Sequence, residues 1–362
     1  MNSIRRWFVA VTVAVVIMPV GTGVAQNGET RTRRATTPAP APAKPGGAPA
    51  ARNLPAQDND PIQLSTDVVN VFFSVTDQKN RFIGDIAEQD IVLTEAGEPQ
   101  QIFSFGKQTN LPLEVAIVID MSSSQEFTFS DEKRAAQAFL QSVVKPRKDT
   151  AAIVTFGEDV QWVQGMTNRL ERVNESFNRL SWQSRVASGS RTGATALYDA
   201  VGITATELFP KRVNQAANDT ATRRAIIVLT DGDDTASDRT LSQSIDDALR
   251  SEVIVYVIGI GDRYRSTAVK RAVLDTLADQ TGGHAYFPTS YDDLRAAFRQ
   301  IDEEMRSQYL IAYEPTNTTR DGSFRVIEVE VPARQDVKIF HRKGYFAPRE
   351  NGAAVSPTSP RP

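Results

Sequence analysis

The chain has 362 residues, of which 40% are hydrophobic and 23% charged, and its formal net charge is −3. This composition is typical of a globular protein with a hydrophobic core, and the length accommodates two ordinary domains. The net charge is too small to indicate nucleic acid as a partner. Because the chain contains no cysteine, disulfides, thiol catalysis and cysteine-bound zinc are excluded.

Residues 1–25 have the pattern of an export signal. Arg5 and Arg6 precede an apolar run, Trp7–Val20, and Gly23-Val24-Ala25 offers small residues at a cleavage site. The run of 14 residues is shorter than the roughly 20 that span a bilayer. We therefore predict a cleaved signal peptide and a periplasmic, cell-surface or secreted protein. The alternative is an uncleaved anchor over residues 7–24, and only then is membrane contact expected.

Residues 26–61 are predicted to be a disordered linker. They include seven prolines and eight alanines, and Leu54 is their only bulky apolar residue. Such a segment buries too little surface to offset the entropy of ordering. The tail, residues 348–362, is similarly rich in proline and serine, and we expect it to be disordered as well.

Two flanking regions have the two-residue period of β-strands. In residues 62–110, Val69, Val71, Phe73 and Val75 alternate with their neighbours, and further strands are predicted at Asp90–Thr94 and Gln101–Phe105. In residues 308–347, strands are predicted at Tyr309–Tyr313, Phe324–Val331 and Val337–His341, with a hairpin turn at Asp321-Gly322. Three strands alone make a poor fold. The flanks therefore either pair into one small β-sandwich or form two separate modules.

Residues 111–307 alternate between strands and helices. Short apolar runs indicate central strands at Val115–Ile119, Ala151–Phe156, Ala225–Leu229 and Val253–Ile258. Apolar residues at helical spacing indicate amphipathic helices at Leu170–Leu180, Leu197–Leu208, Leu241–Leu249 and Leu294–Met305. This alternation predicts an α/β fold with a doubly wound, mostly parallel central sheet.

Oxygen-bearing side chains follow the predicted strands, at the edge where open α/β sheets bind ligands. Asp120 ends the first strand, with Ser122 and Ser124 at alternate positions after it, Thr195 precedes a helix, and Asp231 ends a later strand. Two carboxylates and three hydroxyls suit a hard cation such as Mg²⁺. We therefore expect these five residues to hold a divalent cation.

At these positions the chain resembles the von Willebrand factor type A (VWFA) domain and its metal-ion-dependent adhesion site. The matching motifs are Asp120-Met121-Ser122-Ser123-Ser124, Thr195 within Gly193–Ala200, and Asp231 within Leu229–Asp234. The resemblance covers about residues 113–306. It implies a Rossmann-like sheet with one short antiparallel strand, for which Gln161–Gln164 is the candidate. It also implies Mg²⁺, with Mn²⁺ or Ca²⁺ as alternatives.

The flanks resemble a bacterial group called VWFA-related proteins. The resemblance rests on Val75–Asp77, Asp90–Leu93, Ile102–Phe105, Tyr309–Tyr313 and Gly344-Tyr345. The group is largely exported, so this resemblance supports the architecture and leaves the partner open.

Three functions are compatible with these features. The first is a non-enzymatic adhesion module whose cation binds a carboxylate of a partner protein. The second is a structural or assembly component of the cell envelope, in which the metal only braces the loops. The third, a metal-assisted hydrolase, lacks an evident general base. A histidine-based triad would need His284 or His341 together with a serine, and the sequence has no Gly-x-Ser-x-Gly elbow, so we expect both histidines to be structural.

Overall fold

The structure is a computed structural model and describes residues 68–107, 110–182, 194–209, 222–261 and 269–349. The predicted signal segment, the linker and residues 350–362 of the predicted tail lie outside the described residues. Within the described ranges, no helix has the length and apolar character needed to cross a membrane.

The described residues form β-strands and α-helices with the following bounds. The strands are β1 Val69–Thr76, β2 Val92–Glu95, β3 Glu98–Pro99, β4 Ile102–Lys107, β5 Leu113–Asp120, β6 Thr150–Phe156, β7 Val160–Thr167, β8 Arg223–Thr230, β9 Ile254–Gly259, β10 Ala285–Tyr286, β11 Tyr309–Tyr313, β12 Phe324–Glu330, β13 Lys338–His341 and β14 Gly344–Phe346. The α-helices are α1 Phe129–Val143, α2 Leu170–Arg179, α3 Leu197–Ile203, α4 Leu241–Arg250, α5 Arg271–Thr281 and α6 Tyr291–Ser307.

A six-stranded sheet forms the centre of the α/β region, with strand order β10-β9-β8-β5-β6-β7. All neighbouring pairs are parallel except β6 and β7, which are antiparallel. Strand β7 contains the predicted antiparallel segment Gln161–Gln164 and is longer than expected. The doubly wound, mostly parallel fold predicted from the sequence is thus confirmed.

The central strands are apolar on both faces because helices cover both faces. In β5, Val115, Ile117 and Ile119 pack with α1, α2 and α6. The alternate residues Ala116 and Val118 pack with α3, α4 and α5 on the other side. Successive side chains of a strand point to opposite faces, so a strand inside such a three-layer stack reads as a continuous apolar run.

The two flanks pair with each other, as one of the two sequence-based alternatives predicted. One antiparallel sheet has the order β13-β1-β11-β4, and the other has the order β14-β12-β2-β3. Phe73, Ile311, Ile327 and Val329 belong to one shared hydrophobic core. The result is a β-sandwich built from both ends of the chain, with the α/β region inserted between its halves.

A buried polar cluster links the two halves of this sandwich. Glu95 accepts hydrogen bonds from the hydroxyls of Tyr313 and Tyr345, at 2.7 and 3.0 Å. The guanidinium of Arg325 lies 3.4 Å from the same carboxylate. Tyr313 and Tyr345, one from each of the two C-terminal motifs, therefore meet at one carboxylate of the N-terminal flank.

The prediction of a hairpin at Asp321-Gly322 is wrong. The turn itself exists: Gly322 has a φ of 74°, and Ser323 donates its backbone N–H to the Asp321 side chain. However, the strands on either side of it, β11 and β12, belong to different sheets. The turn therefore lies on a connection that crosses the sandwich, and its local chemistry does not determine which strands pair.

Candidate metal centre

The loop after β5 holds three of the five predicted ligands in a tight turn. Asp120 is fully buried, and its Oδ1 accepts the backbone N–H of Ser122 at 2.7 Å. The hydroxyl oxygens of Ser122 and Ser124 lie 3.0 Å apart. The Asp-x-Ser-x-Ser spacing thus brings both serine hydroxyls to the same side of the loop, as expected from the sequence.

The second oxygen of Asp120 is held by a neighbouring strand. Thr230, the last residue of β8, donates its hydroxyl to Asp120 Oδ2 at 2.7 Å and accepts the N–H of Gly232 at 3.1 Å. Burial raises the pKa of Asp120 to about 7, although the hydrogen bonds from Thr230 and Ser122 oppose this rise. The charge of Asp231, at the end of the adjacent strand β8, raises it further.

Asp231 begins the loop after β8 and is almost completely buried. Its side chain accepts the N–H of Asp233 at 3.1 Å, and its backbone carbonyl accepts the N–H of Lys270 at 2.8 Å. Within the described ranges, neither Asp120 nor Asp231 forms an ion pair with a basic side chain. Two buried carboxylates of like charge therefore lie at one edge without a cationic partner from these parts of the chain.

Thr195 joins this edge through its main chain. Its carbonyl accepts the N–H groups of Thr235 and Ala236, at 2.8 and 3.0 Å, and its N–H donates to the Thr235 hydroxyl at 2.9 Å. The next residue, Ala196, donates to the carbonyl of Gly157, just beyond β6. The Thr195 loop is therefore fixed beside the loop that carries Asp231. Gly193, which precedes it in the predicted motif, lies outside the described residues.

Two acidic residues near the site have structural roles. Asp234 accepts the N–H of Tyr198 in the first turn of α3, at 3.2 Å. Asp199 accepts the N–H groups of Asp238 and Arg239 and pairs with the Arg239 guanidinium at 3.1 Å. These bonds connect α3 to the loop after β8.

Both histidine rings contact neighbouring groups of the protein. The ring of His284 lies 4.7 Å from that of Tyr286 and 4.6 Å from that of Phe340. His341 is buried, with Nδ1 2.8 Å from the carbonyl oxygen of Arg342. Burial lowers the pKa of both histidines to about 4, so both rings are neutral at pH 7.

The structure adds residues to the site that the sequence motif does not contain. Thr230 orients Asp120, and the side-chain amide of Gln125 lies 3.5 Å from Ser124 Oγ while donating to the carbonyl of Ile260 at 3.0 Å. Thr230 directly precedes Asp231 in the chain, so its position at the strand end could have identified it from the sequence as part of the site. The role of Gln125 depends on a residue 135 positions away, and no local pattern reveals it.

The available oxygen donors fit a hard cation. Among the described residues, no three His, Cys, Asp or Glu side chains form one metal-binding group. A cation at this edge therefore needs hydroxyls and water beside the carboxylates of Asp120 and Asp231, and Ser122, Ser124 and Thr195 carry such hydroxyls. Mg²⁺, Mn²⁺ and Ca²⁺ accept this kind of ligand set.

Several solved structures resemble the chain at low sequence identity. The conserved hypothetical protein BatB from Bacteroides thetaiotaomicron is 17% identical, with a TM-score of 0.41, and the match covers 54% of this chain and 99% of BatB. An aerotolerance-related membrane protein from Bacteroides fragilis is 18% identical, with a TM-score of 0.41, over 53% of this chain and 100% of that protein.

A third similar structure is proximal thread matrix protein 1 from the mussel byssus, with zinc in its adhesion-site motif. It is 18% identical, with a TM-score of 0.45, over 58% of this chain and 49% of that protein. These three similarities are too distant to carry an argument about function. No curated protein matches the chain by sequence.

A comparison with family sequence models identifies the α/β region directly. The von Willebrand factor type A domain matches residues 114–300, which is just over half of the chain. This range runs from β5 into α6 and includes all five predicted ligands. It agrees with the six-stranded sheet, its single antiparallel edge strand and its helices on both faces. The chain therefore belongs to the von Willebrand factor type A domain family.

Proposed function

We propose that this protein is an exported, non-enzymatic adhesion module that binds a partner through a divalent cation. The observation that carries the proposal is the pair of buried carboxylates, Asp120 and Asp231, which follow the adjacent parallel strands β5 and β8. Burying two like charges together is costly unless a cation offsets them. The hydroxyls of Ser122 and Ser124, on the loop after β5, and of Thr195, on a neighbouring loop, are the proposed neutral ligands.

The ion is proposed to be held by Asp120, Ser122, Ser124, Thr195 and Asp231, with Mg²⁺ as the first choice and Mn²⁺ or Ca²⁺ as alternatives. Because the serine and threonine ligands add no charge, two carboxylates leave a bound divalent ion attractive to a further anion. A carboxylate of a partner protein is the proposed anion. In this role the chain's own residues orient the ion and leave one of its coordination positions open.

An exposed aromatic side chain follows the Ser124 turn along the chain. Phe127 follows the Ser124 turn by three residues, and 59% of its surface is exposed. Aromatic side chains contribute strongly to the centres of protein interfaces. We propose that Phe127 contacts the partner next to the metal-bound carboxylate, so that affinity comes from apolar contact as well as from the ion.

The experiment combines direct metal binding with partner capture. Calorimetry with Mg²⁺ and Mn²⁺ compares the wild-type chain with Asp120→Ala, and Glu330→Ala on the exposed face of β12 serves as the control. Partners captured from an envelope extract are then compared with and without EDTA. We expect Asp120→Ala to lose both metal binding and capture, Phe127→Ala to lose capture alone, and Glu330→Ala to lose neither.

Partner capture that persists unchanged in EDTA would contradict docking through the metal. It would favour the second candidate, an assembly component of the envelope in which the ion only braces the loops. The burial of Asp120, Ser122, Thr195 and Asp231 is the observation that favours this alternative. In that case Asp120→Ala should lower the melting temperature in the presence of Mg²⁺ while partner capture continues.

A further inference from the structure

One buried carboxylate near the site has no role in the five-residue motif. Glu132 lies in the first turn of α1 and is fully buried, and neither of its side-chain oxygens has a hydrogen-bond partner. It occupies the buried stripe of the helix together with Phe129, Ala136 and Leu140. A leucine or alanine would fill such a position at far lower cost, because an unpaired buried carboxylate is strongly unfavourable.

Glu132 is close to the proposed metal centre. Helix α1 begins only five residues after Ser124, and Thr128, at the start of the helix, donates its hydroxyl to the Gln125 side chain at 3.2 Å. The same Gln125 side chain approaches Ser124. Burial raises the pKa of Glu132 to about 8; the nearby Thr128 hydroxyl opposes this rise, and the charges of Asp120 and Asp231 add to it. Because the backbone N–H of Glu132 donates to the carbonyl of Thr128 at 3.0 Å, hydrogen bonds through Thr128 and Gln125 connect the start of α1 to the Ser124 turn.

The basic residues next to Glu132 on α1 are committed elsewhere. Lys133 donates to the backbone carbonyl of Leu180 at 2.7 Å. Arg134 pairs with Asp131 and lies over the ring of Tyr291. These neighbours on the helix therefore do not neutralise Glu132. A cation between the loops after β5 and β8 would supply the missing positive charge.

We propose that Glu132 is a positioning residue of the metal centre and accepts a hydrogen bond from a water molecule bound to the cation. This inference rests on the proposed metal site and extends it to a sixth residue. The contact is assigned to water because, among the described residues, no three acidic side chains form one group of direct ligands. In this arrangement Glu132 fixes the orientation of the ion's water shell from the buried side and leaves the exposed side for a partner.

The test measures Mn²⁺ affinity by calorimetry and the melting temperature without metal, using the full-length chain. Glu132→Gln keeps the shape of the side chain and removes its charge, and Glu132→Leu is a second variant in case the first does not fold. Glu304→Gln is the matched control, because Glu304 is equally buried but lies at the other end of the α/β unit, where it accepts a hydrogen bond from Ser74.

We expect the Glu132 variants to bind Mn²⁺ about 10- to 100-fold more weakly, the usual effect of losing a residue that orients a metal's ligands. Their melting temperature without metal should be equal to or higher than that of the wild type, since an unpaired charge has been removed. A purely structural role would lower the melting temperature and leave Mn²⁺ affinity unchanged. Glu304→Gln should leave Mn²⁺ affinity within about twofold of the wild type.

Two results would overturn the inference, and they differ in what they imply for the proposed function. If the wild type binds Mn²⁺, Asp120→Ala abolishes binding and the Glu132 variants bind normally, then only the role of Glu132 is wrong. If the wild type itself binds no Mn²⁺, Mg²⁺ or Ca²⁺, both the role of Glu132 and the metal site fail.

Discussion

The hydroxyl of Thr230 is the best point at which to test how the protein orients Asp120. Thr230 is fully buried at the end of β8, and its hydroxyl donates to Asp120 Oδ2 at 2.7 Å while accepting the N–H of Gly232 at 3.1 Å. Replacing it with valine keeps the branched shape and removes both hydrogen bonds. The substitution therefore removes the orienting contact and leaves the proposed ligands themselves in place.

The expected loss can be estimated from the bond that is removed. A hydrogen bond to a charged group is worth about 1.5–3 kcal/mol, and each 1.4 kcal/mol corresponds to about a tenfold change in a dissociation constant. If the bond to Asp120 holds the carboxylate in its metal-binding orientation, Thr230→Val should weaken Mg²⁺ binding by roughly 10- to 100-fold. The unpaired N–H of Gly232 adds a stability cost of about 1–3 kcal/mol.

Calorimetric titration with Mg²⁺ measures the affinity, and urea denaturation without metal measures the stability. Thr230→Ser is the matched control, because it keeps the hydroxyl and removes only a methyl group, and it should bind Mg²⁺ within a fewfold of the wild type. The reasoning would be refuted by a folded Thr230→Val variant that binds Mg²⁺ as tightly as Thr230→Ser does.

Two further predictions concern regions outside the metal centre. Burial raises the pKa of Glu304 from 4.5 to about 7, so its contribution to stability is present below pH 4.5 and is lost as the pH rises through about 7. Each pKa unit corresponds to about 1.4 kcal/mol, so this group should cost the wild type about 3 kcal/mol of its free energy of unfolding between pH 4.5 and 8, and Glu304→Gln should not show that loss. Urea denaturation measures both pH profiles, and parallel profiles would contradict this prediction. A Cβ on Gly283 would lie 2.1 Å from the carbonyl oxygen of Val255, so Gly283→Ala should lower the free energy of unfolding by about 2–3 kcal/mol. The control Gly165→Ala meets no atom within 4 Å and should change it by less than about 1 kcal/mol; equal losses in the two variants would refute the steric argument.

The central sheet was predictable because strands that are buried on both faces have continuous apolar sequences. Continuous apolar runs located β5, β6, β8 and β9 to within two residues at each end. The apolar periodicity of helices α1 and α5 is weaker. In α1 the buried stripe includes Glu132 and the small residues Ala135 and Ala136, so a charge and two short side chains interrupt the apolar pattern. Helix α5 buries only Leu274, Leu277, Ala278 and Thr281.

Some residues of the candidate site could be predicted from a local sequence pattern, and others are placed only by tertiary packing. Asp120, Ser122 and Ser124 were predictable because a fixed spacing in one loop determines how they face each other. The part played by Thr230 follows from the pairing of β8 with β5, and the placement of Glu132 follows from how α1 packs on the sheet. A glutamate in a first helical turn is ordinary in sequence, so only the packing distinguishes Glu132.

The β-sandwich and the candidate metal ligands lie at opposite edges of the central sheet. The β-sandwich meets the α/β region at the amino ends of the central strands, where Asn70 and Arg342 line a cavity together with Thr222, Val253 and Ile254. Strand β5 has eight residues, and at about 3.3 Å per residue it spans roughly 26 Å. Asp120 lies at its far end. The sandwich is thus attached at one edge of the sheet and the candidate ligands lie at the other, so the proposed docking function and the alternative assembly function would use separate surfaces. Substitutions at Asp120 and at Glu95 in the sandwich can therefore be interpreted independently.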